Sequence, residues 1–244
     1  MRRTVHQDIE WISEPYDFGD GLVHVSVFLL KNDGESILVD TGSHYHEEAI
    51  VEEIQNASNN GSLEGVIVSH ADLPHAGNVG SLEDTLGGFD VICATAAPEL
   101  VGVSVDIGCN PGERLTVAGR LISFIDAPLA DITDTVWAFD HDTGTLFTAD
   151  GFGNHHQDSE TEYTSEDLSG NVSSERIYEY HRQMFRWLEF VDPERLIDDV
   201  DEIFSTYDVD CIAPTHGTPI IGADIEPYLE RFNTTVREII MSYE

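Results

Sequence analysis

The chain has 244 residues, 47 of them acidic against 11 basic, for a formal net charge of −36. A field that negative repels phosphate backbones and argues against nucleic acid as a partner. Its 41% apolar residues and lack of low-complexity tracts nevertheless predict one folded domain over 1–244, long enough to bury a core. Only one basic residue, Lys31, is a lysine. A carboxylate surface this dense stays hydrated in concentrated salt, and salt screens the self-repulsion, so the composition predicts the cytoplasm of an extreme halophile. Cys93, Cys109 and Cys211 are scattered and form no C-x-x-C, which argues against a disulfide framework, a rubredoxin module or an iron–sulfur cluster. No apolar run reaches membrane-spanning length, so no membrane contact is expected.

In chain order, residues 22–30 (LVHVSVFLL) and 36–40 (SILVD) read as paired strands across the turn-forming NDG at 32–34. Helical spacing of Ile50, Val51 and Ile54 predicts a helix from His44 to Ala57. GVIV at 65–68 is a short buried strand, followed by a short helix over 81–86 and a second buried strand, VICAT, at 91–95. Strands return at 115–125 and 135–149, the latter a hairpin around DTG at 142–144. Residues 153–174 are polar and strand-poor and read as a long surface loop or lid. Two helices, Arg176 to Val191 and Pro193 to Ser205, precede the strand CIAP at 211–214 and a last helix over roughly 223–240.

Metal-capable side chains gather where apolar strands end. After GVIV comes SHADLPHAG, which places His70, Asp72 and His75 within six residues. Asp131, Asp150 and His216 follow later apolar runs, the last two just before a glycine. A lone loop histidine is usually a solvated one, and an Asp before glycine often only caps a turn. Two histidines flanking an aspartate directly after a buried strand favour ligation. Imidazoles and carboxylates together suit zinc, iron or manganese. Asp134 competes with Asp131 for the same role. His155 and His156 follow Asp150 closely and read as solvated loop residues or as extra ligands. Tyr45, Phe152 and Tyr163 are candidates for lining a pocket there.

The order of these junctions resembles the metallo-β-lactamase fold, and within it the flavodiiron proteins. SILVDTGS matches the early strand and turn with Asp40, HADLPHAG the ligand loop, LFTADGFG the bridging-Asp stretch, and APTHG the late-His motif. The resemblance covers nearly the whole chain and implies an α/β four-layer αββα sandwich. Carried over residue by residue, it gives one metal His70, Asp72, Asp131 and Asp150. The other metal has His75, Asp150 and His216, with Asp150 bridging. Pro74 stands where the family has an Asp ligand, and Asp131 where flavodiiron proteins have a His. The cofactors implied are two divalent ions, iron foremost, with zinc or manganese as alternatives. The leading reading is a di-iron oxidoreductase acting on a small molecule such as dioxygen. It would be fed by a separate electron-donor protein, with a second copy of the chain as a candidate partner. A hydrolase of an ester, thioester or phosphoester is the alternative, penalised because Pro74 cannot orient a water. A metal-poor binding or structural descendant is the third reading.

Overall fold

A computed structural model describes the chain except for residues 20, 59–61, 98–103, 170 and 242–244. Among the described residues, the strands β1 (Arg2–His6), β2 (Ile9–Phe18), β3 (Gly21–Asn32), β4 (Glu35–Val39), β5 (Ser62–Val68), β6 (Asp90–Ala94) and β7 (Ile107–Cys109) form one sheet in chain order. A second sheet has the order β13-β12-β11-β10-β9-β8, built from β8 (Arg114–Val117), β9 (Arg120–Asp126), β10 (Val136–Asp140), β11 (Thr145–Phe147), β12 (Cys211–Ala213) and β13 (Ile220–Ile221). The helices are α1 (Glu47–Ser58), α2 (Leu73–Ala76), α3 (Val79–Thr85), α4 (Ser174–Met184), α5 (Pro193–Thr206) and α6 (Ile225–Met241).

Side-chain alternation along the strands sorts the core into three layers. In β4, Ile37 and Val39 face the second sheet while Leu38 faces the helices outside. In β10, Val136 and Ala138 face the first sheet while Trp137 and Phe139 turn outward. Ile50 and Ile54 of α1 and Val79 and Leu82 of α3 cover the outer face of the first sheet. Residues of α4, α5 and α6, among them Tyr180, Val200 and Tyr228, cover the outer face of the second. This is the four-layer αββα sandwich. Burial on both faces explains why β4, β5 and β6 read as unbroken apolar runs.

Strand direction decides where the site forms. β4 and β5 pair in parallel, with α1 as the crossover, so their C-terminal ends share an edge. β11 and β12 also run in parallel, and β9 shares their direction because both it and β11 pair antiparallel with β10. Bonds from Ser26 N to Thr215 O (3.0 Å) and from Val136 N to Ser69 O (2.9 Å) tie the two sheets together near these ends.

The structure corrects several readings of the sequence. β1 and β2 were hidden by charge and by Pro15. The helix starting near Arg176 stops at Met184, because Phe185 leaves helical geometry (φ −109°, ψ 71°) before a 3-10 stretch at Arg186–Phe190. Residues 153–174 do run along the surface, with 157–159, 162–163, 166–167 and 173–174 exposed, but the segment is pinned rather than free: Asn154, His155, His156, Thr164 and Ser165 are buried. His156 N bonds Leu22 O at 2.9 Å and Ser165 N bonds Pro219 O at 2.9 Å, so the segment is a strap laid over the sheet ends. Its polarity is absorbed by two capping boxes, Gln157 with Glu160 and Thr164 with Asp167. Tyr45 is exposed, and Phe152 is buried in the outer core against Trp137 and Phe232, so neither lines a pocket beside the ligands in the way expected.

The charge has a measurable consequence. The Debye length shrinks from about 30 Å at 0.01 M salt to about 3 Å at 1 M. Between 0.1 M and 3 M KCl the thermal midpoint should therefore rise by about 5 °C or more, equivalent to roughly 2 kcal/mol for a chain this size. Equal midpoints in a melting scan would show that self-repulsion does not limit stability.

Candidate metal centre

Asp40 follows β4 directly in a left-handed conformation (φ 59°), and its carboxylate is buried. That carboxylate accepts from Ser69 N (2.9 Å), Ser69 Oγ (3.1 Å) and Thr215 Oγ1 (2.8 Å). It also accepts from Nδ1 of His75 at 2.7 Å. The adjacent Thr41 grips the ligand helix: its N and Oγ1 both bond His75 O, at 2.7 and 2.9 Å. Asp72 caps α2 by accepting from Leu73 N at 2.6 Å, and Pro74 sits inside that first turn, where its missing N–H is no loss. His216 donates its Nδ1–H to His24 O at 2.7 Å. Both outer bonds hold a proton on Nδ1 and aim Nε2 of His75 and of His216 into the centre.

Those atoms converge on Asp150. Its Oδ1 lies 3.2 Å from Nε2 of His75 and 3.2 Å from Nε2 of His216, and its Oδ2 lies 3.5 Å from Nε2 of His70. Asp131 Oδ1 stands 3.8 Å from His70 Nε2. Ligand atoms of His70, His75 and Asp150 lie within 4.8 Å of one another, as do those of His70, Asp72 and Asp131. All six residues expected from the sequence are thus brought together, with His216 joining through Asp150. Asp134, the competitor, instead anchors the ligand loop by accepting from Ala71 N at 3.1 Å.

The electrostatics are those of an unsatisfied cluster. Burial, reinforced by the charge of His75, pushes His70 down to about 4, so this imidazole is neutral at neutral pH. Burial opposes charge on His75 as well, yet Asp40 and Asp150 on either side hold its pKa well above the ordinary value. Burial and the neighbouring Asp150 push Asp131 up to about 6. Burial would raise Asp150 too, but His75, His70 and His216 drive it far below the usual carboxylate range. His70 Nε2 is buried without a hydrogen-bond partner, and the buried Asp150 carboxylate is crowded by three imidazole nitrogens at 3.2–3.5 Å. Facing nitrogen and oxygen donors of this kind fit a divalent cation.

Sequence reasoning missed the supporting groups. His24 contributes its carbonyl, and its ring stacks on His156 at 4.0 Å between centroids. The expectation that His155 and His156 are solvated is therefore wrong, because both are buried in the strap. Among the described residues, neither joins the two ligand groups. Trp187 Nε1 donates to Ala130 O at 2.8 Å and Tyr180 Oη to Asp150 O at 2.8 Å, which holds the two carboxylate loops from the helix side. A local motif carries no signal for contacts made from so far along the chain.

Comparison with known proteins agrees with this architecture. A flavo di-iron protein variant from Thermotoga maritima superposes with a TM-score of 0.81 at 16% identity, covering 97% of this chain and 62% of that one. The rubredoxin oxygen:oxidoreductase of Desulfovibrio gigas gives 0.76 at 16% identity, covering 100% and 61%. A diflavin flavoprotein A 1 of Nostoc sp. is 30% identical over 168 residues, and the anaerobic nitric oxide reductase flavorubredoxin of Vibrio vulnificus 22% over 147. These matches cover 65% and 54% of this chain but only 29% and 28% of those relatives, so the chain corresponds to less than a third of their length. The model described as ODP family beta lactamase matches residues 23–217, and the chain belongs to that family.

Proposed function

We propose that the chain holds two divalent metal ions, iron foremost, and works as an oxidoreductase on a small oxidant such as dioxygen or nitric oxide, with electrons from a separate donor protein. The observation that carries this reading is the division of Asp150, whose Oδ2 faces His70 while Oδ1 faces His75 and His216. One ion would take His70, Asp72, Asp131 and Asp150, and the other His75, Asp150 and His216. Two irons held there would supply the electrons that reduce a small oxidant. The chain's own residues do the rest. Asp40 and the His24 carbonyl orient the imidazoles, and burial of His70, His75 and Asp150 keeps bulk water away. Asp131, with its side chain 18% exposed, stands at the mouth. Two of the similar proteins, an oxygen:oxidoreductase and a nitric oxide reductase, favour the same chemistry. Iron-loaded protein given a chemical reductant should consume dioxygen or nitric oxide. Inertness toward both, with ester hydrolysis by the zinc form, would select the hydrolase instead.

Metal binding should release protons. A cation at His75 Nε2 must displace the proton that Asp40 and Asp150 stabilise there, and Asp131 retains its own below about 6. Affinity therefore falls as pH falls, more steeply below that value. Calorimetry at pH 7 in buffers of different ionisation heat should give net release of roughly one proton per chain. No release would contradict a charged His75 in the metal-free protein.

Pro74→Asp tests the altered ligand position. The substitution raises the carboxylates from Asp72, Asp131 and Asp150 to four, matching the charge of two divalent ions. Aspartate tolerates the first turn of a helix, so α2 should survive. Binding of the ion at His75 and His216 should tighten by about tenfold or more. Unchanged affinity in a calorimetric titration would mean that position 74 does not face that ion.

A further inference from the structure

The turn that carries Asp150 is held from outside the site. After β11 the chain passes through Ala149 (φ 49°) and Phe152 (φ 59°), both left-handed without being glycine. Such conformations are sparsely populated and persist only where surroundings over-determine them. Here three successive carbonyls each accept a side-chain hydroxyl. Tyr180 Oη donates to Asp150 O at 2.8 Å, Thr148 Oγ1 to Gly151 O at 2.7 Å, and Tyr228 Oη to Phe152 O at 2.6 Å. Both tyrosines are fully buried, one on α4 and the other on α6. The fit is close: a Cβ on Gly153 would lie 2.2 Å from Tyr180 Cζ, and one on Gly151 would lie 2.5 Å from the Trp137 ring.

Resting on the metal-centre reading above, we infer that Tyr180 and Tyr228 are positioning residues for the Asp150 carboxylate. The Asp150 side chain is one bond from a backbone whose carbonyl Tyr180 fixes. If that peptide rotates, Oδ1 and Oδ2 leave their places opposite His75, His216 and His70. The outer helix layer thereby sets the carboxylate that both halves of the site share. Thr148 belongs to the turn itself, whereas the tyrosines reach it from 30 and 76 residues further along the chain.

The test uses Tyr180→Phe and Tyr228→Phe, each removing one hydroxyl and keeping the packed ring. Tyr207→Phe is the control, because its ring packs on Phe139 and His141 in the same layer. In metal-free protein, hydrogen exchange at Gly151 and Asn154, whose amides bond Thr148 O and His216 O, should quicken roughly tenfold in the two variants, about the factor of one hydrogen bond. It should stay unchanged in the control. Affinity for ferrous or zinc ions should then fall by about 10- to 100-fold with the far-UV circular dichroism unaltered. If Tyr180→Phe and Tyr228→Phe only lower the melting point, as the control does, with wild-type exchange and wild-type metal affinity, the inference is overturned. Wild-type protein that takes up neither ion would instead overturn the metal-centre reading, and the exchange rates would still decide whether the tyrosines position the turn.

Discussion

Asp150→Ala should leave the chain unable to hold either ion, while His75→Ala should empty one position and leave the other filled. The asymmetry follows from geometry. Asp150 presents one oxygen to His70 and the other to His75 and His216, so its loss strips both positions of their shared carboxylate. His75 serves only one position, and its removal leaves His70, Asp72, Asp131 and Asp150 in place. A bridging carboxylate also offsets the repulsion between two cations, which no histidine can do. Metal content after dialysis reads the difference directly: none retained in the first variant, about one ion in the second. Equal retention in the two variants would remove Asp150 from the bridging role.

The second large effect lies far from the centre. Arg120 opens β9 and Asp140 closes β10; both are buried, and Nη2 sits 3.2 Å from Asp140 Oδ2. Thr143 Oγ1 donates to the same carboxylate oxygen at 2.6 Å, and Arg120 Nη1 reaches Lys31 O in the other sheet at 3.4 Å. Asp140→Asn keeps the shape but leaves the guanidinium buried without its counter-charge. Breaking a buried pair in this way costs about 3–5 kcal/mol. At about 2–4 °C per kcal/mol for a chain of this size, the melting point should drop by roughly 6–20 °C. Replacing both partners, as Arg120→Met with Asp140→Leu, should recover most of that loss, because an apolar pair of similar volume carries no desolvated charge. A double variant as unstable as Asp140→Asn would mean that the pair itself, rather than the stranded charge, stabilises this end of the sandwich.

How much of this was legible in the sequence depends on the range of the contact. The strand alternation that sends Ile37 and Val39 one way and Leu38 the other is local, and so is the rule that ligands follow buried strands. Both could be read from the chain, and they brought His70, Asp72, His75, Asp131, Asp150 and His216 to one edge. Supporting bonds are another matter. Asp40 meets Thr215 across 175 residues, and His216 meets the His24 carbonyl across 192. The carbonyl bond is made by backbone, which no side-chain pattern reports. The choice between Asp131 and Asp134 was equally hidden, since both are acidic and three residues apart; packing turns one toward His70 and the other toward Ala71 N. The strap over 153–174 was half legible: its exposed stretches carry the polar composition of a surface loop, while the buried anchors Asn154, His155, His156, Thr164 and Ser165 are polar too and gave no sign of burial.

On the proposed function, six side chains from four strand ends hold two metal ions shared by Asp150. Metal analysis with an optical spectrum, on protein purified in high salt and reconstituted with ferrous iron without oxygen, tests it most directly. Two irons per chain are expected and, after oxidation, the absorption of a coupled pair, with both lost in Asp150→Ala. A chain that retains no metal, or one isolated ion with no dependence on Asp150, would contradict it.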